Sequence, residues 1–189
     1  MSEKFEVLKG KLDNEQRRKA LPPFKILDDI GLKEGDVMAD IGCGIGYFTF
    51  PASEIVGESG KVYAMDIFPE MLEEVARKAE EKNSSNVVIV ETSEDGLKIP
   101  EGSVNLAFIS LVLHEIENKD KYLVEVDRVL SDSGRVAVIE WQKMESDFGP
   151  VLERRLDQEY VTDLLKGAGF KNITIKNIDA DYYLITGEK

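Results

Sequence analysis

Three residue types are nearly absent from this chain of 189 residues, which has one cysteine, one histidine and one tryptophan. A lone cysteine, Cys43, cannot close an internal disulfide, so we expect a reducing, cytoplasmic setting. Long apolar runs are absent as well. None approaches the roughly 18 residues that cross a bilayer, and the polar N-terminal stretch lacks the apolar segment of a secretory leader. We therefore expect neither membrane insertion nor export.

Basic residues are scarce relative to acids. The chain has 24 Lys and Arg against 37 Asp and Glu, and its formal net charge is −13. A surface this acidic repels phosphate backbones, which disfavours nucleic acid as a partner and favours a small molecule. The sequence predicts no metal site, and it leaves the oligomeric state open, a homodimer included.

Short β-branched runs alternate with helical patterns along the chain, which predicts βαβ units. We expect an α/β fold with a doubly wound, mostly parallel, seven-stranded sheet and helices on both faces. Two final strands without a helix between them predict a C-terminal antiparallel hairpin. We assign residues 1–189 to one domain, with an N-terminal helical cap over 1–31 and a loop over 142–157 on the side of a second ligand. The predicted strands cover 37–41, 61–67, 87–90, 104–111, 135–141, 170–175 and 181–186, with a break at Gly134. The predicted helices cover 13–31 (interrupted at 21–23), 47–57, 69–82, 120–130 and 158–168.

The most informative stretch joins the first predicted strand to the following helix. It reads Asp40-Ile41-Gly42-Cys43-Gly44-Ile45-Gly46. Glycine permits backbone angles that other residues avoid, and it lets a ligand approach the main chain. The next strand ends at Asp66, where a carboxylate can accept both hydroxyls of a ribose. The alternative for Asp66 is a capping role in the helix after Phe68.

Nicotinamide and flavin sites use similar parts, but their glycine spacing is G-x-G-x-x-G. Counting from Gly42 puts Tyr47 at the third glycine position, and counting from Gly44 puts Thr49 there. Neither frame fits. Asp40 also suits a cationic ligand better than a pyrophosphate, which disfavours a reductase.

Asp40-x-Gly42-x-Gly44-x-Gly46 followed by Asp66 resembles motif I and the next acidic position of class I S-adenosylmethionine-dependent methyltransferases. The similarity runs over nearly the whole chain. It implies a Rossmann-like methyltransferase fold, S-adenosylmethionine as the cofactor and methyl transfer as the activity. The loop before the last helix, Gly149 to Arg155, resembles one in small-molecule methyltransferases of the quinone-biosynthesis type.

The resemblance also implies roles for individual residues. Asp40, Gly42, Gly44 and Gly46 would hold the methionine part of the cofactor, and Asp66 would hold its ribose. The turn after the third strand, with Ser93 and Glu94, would contact adenine, and Ile67 would flank the ring. The chain has Thr92 and Asn105 where many relatives have aspartate.

Methyl transfer needs a general base only when the acceptor must lose a proton. The single histidine, His114, follows the fourth strand at the edge where the acceptor is expected, and it is the candidate catalytic residue. Packing against the next helix, or capping it, is the slightly favoured alternative.

Trp141 ends the fifth strand and is a candidate substrate contact, with covering the sheet edge as an equal alternative. Arg155 is a candidate ligand for an acidic substrate, although an ion pair with surface acids is favoured.

We expect an enzyme that methylates a small metabolite at oxygen, nitrogen or carbon. The alternative is a regulator that binds S-adenosylmethionine or S-adenosylhomocysteine without turnover. Arsenite methylation is disfavoured because it needs several cysteines.

Overall fold

A seven-stranded sheet forms the centre of the computed structural model, which describes residues 3–93, 96–146 and 148–189. The strands are β1 Val37–Ile41, β2 Lys61–Asp66, β3 Val87–Glu91, β4 Val104–Ser110, β5 Leu130–Trp141, β6 Lys171–Asn177 and β7 Tyr182–Glu188. Their spatial order is β3-β2-β1-β4-β5-β7-β6. The first five in this order run parallel, and β7 lies antiparallel between β5 and β6. The predicted fold, with its antiparallel C-terminal hairpin, is confirmed.

Helices cover both faces of the sheet. They are α1 Glu3–Leu12, α2 Glu15–Ala20, α3 Pro23–Asp29, α4 Thr49–Val56, α5 Pro69–Lys82, α6 Lys119–Val129 and α7 Gln158–Gly167, with 3₁₀ turns at Leu113–Glu115 and Leu152–Arg154. None of the helices in the described ranges is both long and apolar enough to span a membrane.

Two hydrophobic cores result from the alternation of side chains along the strands. In β4, Leu106 and Phe108 face a core with α3 and α4, whereas Ala107 and Ile109 face a core with α6 and α7. Both residue sets are buried. The central strands are therefore apolar on both faces, as parallel strands between helical layers must be. Their polar groups lie at the strand ends.

Strand β5 begins earlier than predicted, because Gly134 lies inside it and not at a break. Val104 of β4 pairs with Leu130, but Leu106 already pairs with Arg135, so the intervening β5 residues bulge out of the ladder. A Cβ on Gly134 would lie 2.8 Å from the carbonyl oxygen of Ser131. The glycine therefore marks a bulge inside the strand, and in the sequence pattern such a glycine looks like the break before a strand.

The N-terminal region forms three helices, whereas the sequence pattern indicated one interrupted helix over 13–31. Pro22 and Pro23 separate α2 from α3 as predicted, and Pro23 occupies the first turn of α3. Helix α1 precedes the predicted region. Asn14, between α1 and α2, is the N-cap of α2, and its side chain accepts a hydrogen bond from the amide of Arg17.

A buried carboxylate on α5 connects α1 to the rest of the molecule. Glu74 is 3% exposed and accepts two hydrogen bonds from Arg77, at 2.9 and 3.1 Å. Its Oε1 also lies 3.2 Å from Nζ of Lys9 on α1. Hydrogen bonds from Arg77 and Lys9 outweigh burial and lower the pKa of Glu74 to about 2. This contact helps to hold α1 over the carboxyl ends of the strands.

We predict that Glu74→Gln lowers the stability of the protein at neutral pH, because the amide cannot replace a carboxylate among these cations. A carboxyl with a depressed pKa contributes stability above its ordinary pKa, and the contribution is lost as pH falls through the folded-state value. The difference in melting temperature between wild type and variant should therefore shrink between pH 4.5 and about 2. Glu81→Gln, an exposed partner of Arg77 on the same helix, is the control. A difference that does not change with pH would contradict this account.

Candidate active site

A cavity of about 960 Å³ opens at the carboxyl ends of β1, β2, β4 and β5. The strand order reverses between β1 and β4, and open α/β sheets bind ligands at such a point. Leu12 of α1 and Arg17 of α2 form part of the opposite wall. The volume lies in the upper part of the range for small-molecule and cofactor sites, roughly 300–1,000 Å³. It is large enough for a cofactor together with a second small molecule.

The three glycines of the β1–α4 loop all have left-handed backbones, with φ of +71° at Gly42, +54° at Gly44 and +83° at Gly46. A Cβ on Gly42 would lie 2.3 Å from Val112, and one on Gly46 would lie 2.5 Å from Phe50. At Gly44 the nearest atom to a Cβ would be Cδ1 of Leu12, at an ordinary contact distance of 3.5 Å. Protein packing therefore requires Gly42 and Gly46, whereas the backbone conformation alone requires Gly44.

The carboxylate of Asp66 connects this loop to the next strand and helix. Its Oδ2 accepts from the amide of Gly44 at 2.9 Å, and its Oδ1 accepts from the amide of Phe68 at 3.0 Å. The side chain does not cap α5, whose N-cap residue is Phe68. Asp66 is 6% exposed and lines the cavity. Because an ionised carboxylate offers about four acceptor positions, two remain for a ligand.

Asp40 lies behind the glycine loop. It is 2% exposed, and its Oδ2 accepts from the hydroxyl of Thr49 at 2.6 Å. Burial raises the pKa of Asp40 to about 7, although the Thr49 hydrogen bond acts in the opposite direction. The predicted interaction of Asp40 with a cationic ligand would therefore act across the glycine loop and not through direct contact.

The predicted adenine side lies next to Asp66. Ile67 lines the cavity and is 47% exposed, which leaves a flat apolar surface available to a ring. Ser93 also lines the cavity, and it is held by a β-bridge to Gly96. Thr92 supports this turn by donating a hydrogen bond from its hydroxyl to the carbonyl of Gly96 at 2.7 Å. Glu94, the other predicted adenine contact, lies outside the described residues.

His114 lies on the cavity wall between two carboxylates. Its Nδ1 is 2.8 and 3.1 Å from the carboxylate oxygens of Glu140, which is 0% exposed at the end of β5. Its Nε2 is 3.1 Å from Oε1 of Glu115, which is half exposed and also pairs with Arg154. Glu140 additionally accepts from the backbone amide of His114 at 3.1 Å. The imidazole is thus fixed in position at the cavity.

Trp141, which stays a predicted substrate contact, lines the cavity. Its ring packs against Tyr182 at 4.6 Å between centroids, and a Cβ on Gly149 would lie 2.8 Å from the indole. The Arg155 guanidinium lies over the same ring at 5.3 Å. Trp141 therefore both covers the sheet edge and faces the cavity.

The interpretation of Arg155 as a surface ion pair is wrong, because its side chain is 1% exposed. The guanidinium donates to the backbone carbonyls of Gln142, Met144, Phe148 and Pro150. These bonds satisfy most of its donors, and Arg155 does not line the large cavity. The candidate substrate role is therefore not supported. Arg155 fixes the loop over residues 142–157 from inside.

Three residues that sequence reasoning missed also lie at this site. Glu140 orients His114 from 26 positions away in the sequence. Arg17 and Ser110 line the cavity, and each has a buried polar atom without a hydrogen-bond partner in the described chain, Nε of Arg17 and Oγ of Ser110. Only Glu140 had a visible signal, an acid within an apolar strand. Buried polar atoms without partners are uncommon in native proteins and indicate where a ligand supplies the partner.

These features fit S-adenosylmethionine, which the sequence resemblance implies. Asp66 has acceptor positions for ribose hydroxyls, and the glycine loop brings the backbone to the cavity. The buried atoms of Arg17 and Ser110 suit the charged groups of an amino-acid moiety.

Comparison with known proteins agrees with this site. A model of the ubiE/COQ5 methyltransferase family matches residues 15–150. The ubiquinone/menaquinone biosynthesis C-methyltransferase UbiE of Hahella chejuensis is 34% identical over 119 residues, 62% of this chain and 47% of that protein. UbiE of Escherichia coli is 33% identical over 118 residues, with the same coverage. The chain thus spans about half the length of these relatives.

A solved structure is similar over almost its whole length. A SAM-dependent methyltransferase from Aquifex aeolicus has a TM-score of 0.89 and 31% identity, and the match covers 94% of this chain and 95% of that one. The strand order and the C-terminal antiparallel strands are therefore those of a Rossmann-like methyltransferase.

We predict that Gly42→Ala is more destabilising than Gly44→Ala. Both variants force alanine into a left-handed backbone, at about 1–2 kcal/mol. Only the Gly42 variant also places a methyl group 2.3 Å from Val112, a β-branched side chain with few rotamers. Denaturant unfolding of the two variants measures the difference, with Gly44→Ala as the matched control. Equal losses of stability would show that the close approach to Val112 relaxes without cost.

Proposed function

The chain belongs to the ubiE/COQ5 methyltransferase family, and from that premise we propose that it transfers a methyl group from S-adenosylmethionine to a small molecule. The cofactor, when bound, supplies a methyl group already activated on a positively charged sulfur. The remaining task of the protein is to align the acceptor and to exclude water. The observation that carries the proposal is Asp66, a buried carboxylate with free acceptor positions beside the left-handed glycine loop.

The proposed cofactor contacts follow the cavity from one end to the other. The glycine loop with Asp40 surrounds the methionine part, and Asp66 accepts the ribose hydroxyls. Ile67 packs on the adenine ring, with Ser93 and Glu94 at its edge. The position of most of these residues supports the proposal. The residues that line the cavity are Gly42, Gly44, Asp66, Ile67 and Ser93. Gly46 lies close to it, and only Asp40 and Glu94 lack such support.

For the acceptor we propose a ring with a hydroxyl group, methylated at carbon. The cavity beyond the cofactor contacts is lined by aromatic and aliphatic groups, including Trp141, Tyr182 and Ile116. Such a wall suits an apolar ring. The related UbiE proteins are named as C-methyltransferases of ubiquinone and menaquinone biosynthesis, which supports acceptors of this kind.

We propose His114 as the general base of this reaction. Removing the ring hydroxyl proton would make the ring carbon more nucleophilic toward the methyl group that the bound cofactor would supply. The hydrogen of that carbon would then be lost as the ring regains its aromaticity and its hydroxyl, and the proton held by His114 would leave to solvent. Glu140 is fully buried and needs a hydrogen bond, whereas Glu115 is compensated by Arg154 and by solvent. Glu140 therefore favours the tautomer with the proton on Nδ1, and Nε2 can take the acceptor's proton once the half-exposed side chain of Glu115 moves away from it. The imidazolium formed by proton transfer stays paired with Glu140.

A regulator that binds the cofactor without turnover is not favoured, because the related proteins are methyltransferases. We propose that the enzyme acts in the cytoplasm on a small molecule and not on nucleic acid, in line with one cysteine and a net charge of −13.

S-adenosylmethionine and S-adenosylhomocysteine should raise the melting temperature, and NAD should not, because only a ligand of the native state stabilises it.

Asp66→Asn should weaken S-adenosylhomocysteine binding by about 10- to 100-fold, the usual effect of losing charged hydrogen bonds. Glu91→Gln, at the exposed end of the neighbouring strand and paired in register with Asp66, is the control for calorimetry. A thermal shift with NAD alone, or unchanged affinity in Asp66→Asn, would contradict the assignment.

The role of Glu140 can be tested on the free protein, because His114 is the only histidine and gives a single set of imidazole signals. Long-range proton–nitrogen NMR of the neutral ring should find the proton on Nδ1. Glu140→Gln should reduce that preference, and Glu115→Gln should leave it unchanged.

With a phenolic probe acceptor, His114→Asn should lower the rate by roughly 10²–10⁴-fold while leaving cofactor affinity intact. A proton on Nε2 in the wild type, or a near-normal rate in the variant, would refute the base assignment.

A further inference from the structure

Arg17 of α2 lies on the cavity wall. Its guanidinium stacks over the ring of Tyr47, 4.6 Å from the centroid. Arg17 as a whole is partly exposed, but its Nε is buried and has no hydrogen-bond partner among the described residues. A buried donor in a native protein normally has a hydrogen-bond partner, because without one it loses its hydration without compensation.

The acids near Arg17 are committed to other groups. Asp13 is bonded to Arg18 at 2.7 and 2.9 Å, and Asp40 accepts from Thr49. Burial lowers the pKa of Arg17, yet an arginine stays protonated at any physiological pH. The wall therefore carries a guanidinium that Asp13 and Asp40 attract from a distance, while the hydrogen bonds of both acids go to other groups.

We propose that Arg17 is a carboxylate-binding residue of the cavity. The planar guanidinium presents paired donors that match a carboxylate in a bidentate arrangement. The inference rests on the proposed function, because the cavity is then a cofactor and acceptor site. Two carboxylates are available there, that of the amino-acid part of the cofactor and that of an acidic acceptor.

The surroundings of Arg17 favour the carboxylate of the cofactor. Tyr47, on which the guanidinium stacks, directly follows Gly46 of the glycine loop. The second such atom that lines the cavity, Oγ of Ser110, lies at the end of β4 beside the same loop, because Ile109 pairs with Ile41 of β1. A free cation and a free hydroxyl on either side of the loop complement the carboxylate and the ammonium of an amino acid.

The experiment compares S-adenosylhomocysteine, which has the carboxylate, with 5′-methylthioadenosine, which keeps the adenosine and the sulfur but lacks the amino acid. Calorimetry should show that Arg17→Met binds S-adenosylhomocysteine about 10- to 100-fold more weakly and binds 5′-methylthioadenosine normally. Arg17→Lys should recover part of the loss. Arg18→Met, which alters the adjacent exposed arginine, should bind both ligands like the wild type.

A second measurement separates binding from a structural role. Removing a guanidinium whose buried Nε lacks a partner should maintain or raise the melting temperature of the free protein, so Arg17→Met should be at least as stable as wild type. A variant that is less stable and binds both ligands equally weakly would overturn the proposal.

An acidic acceptor is distinguished with benzoate, added to the protein saturated with S-adenosylhomocysteine. Benzoate binding that is lost in Arg17→Met, with S-adenosylhomocysteine affinity unchanged and benzamide inert, assigns Arg17 to the acceptor. If Arg17→Met alters neither ligand, the proposal is wrong. If the wild type binds neither S-adenosylhomocysteine nor 5′-methylthioadenosine, the proposed function fails. The proposal for Arg17 then depends on benzoate alone: binding that requires Arg17 supports it, and no such binding overturns it.

Discussion

The carboxylate of Asp66 is the interaction on which the geometry of the site depends. By accepting from the amides of Gly44 and Phe68, it joins the glycine loop, the end of β2 and the entry to α5. The loop is also held from below, since the amide of Gly42 donates to the carbonyl of Met65 at 2.8 Å. A left-handed loop with three glycines would otherwise have high conformational freedom. Its rigidity comes from β2, and the same carboxylate that provides it remains available to a ligand.

Buried acids at the carboxyl edge make the charge of the site sensitive to its contents. Asp40, with a pKa raised to about 7, favours the folded state in its protonated form, so this contribution is complete below its ordinary pKa of 3.8 and is lost as pH rises through 7. A carboxyl with such a pKa changes its protonation with small changes in the local field. The sulfonium of the proposed cofactor would be a change of this kind. The free protein therefore bears an electrostatic cost near neutral pH that a cationic ligand reduces.

Sequence reasoning predicted the half of the site that is local along the chain. The strand, the glycine spacing and Asp66 lie within residues 37–66, so the pattern alone indicated a ligand site at this loop, whereas the roles of single residues came from the family resemblance and stay predictions. The contact between His114 and Glu140 spans 26 positions and two strands, and it depends on the register of β4 and β5. Arg155 illustrates the same limit, because a charged residue in a polar loop has the same appearance in sequence whether it pairs at the surface or is buried among carbonyls.

The two halves of the site therefore differ in how readily they can change. The proposed cofactor half includes the glycine loop, whose backbone is held by β2, and altering that loop means altering the sheet itself. The proposed acceptor half is lined by side chains, and Phe148 and Gly149 of the loop that Arg155 holds line the cavity there. The bonds from Arg155 go to backbone carbonyls, so they do not depend on which side chains the loop carries. A fold of this design can keep one cofactor and accept different substrates, and the acceptor is determined by the part of the molecule that sequence patterns describe least well.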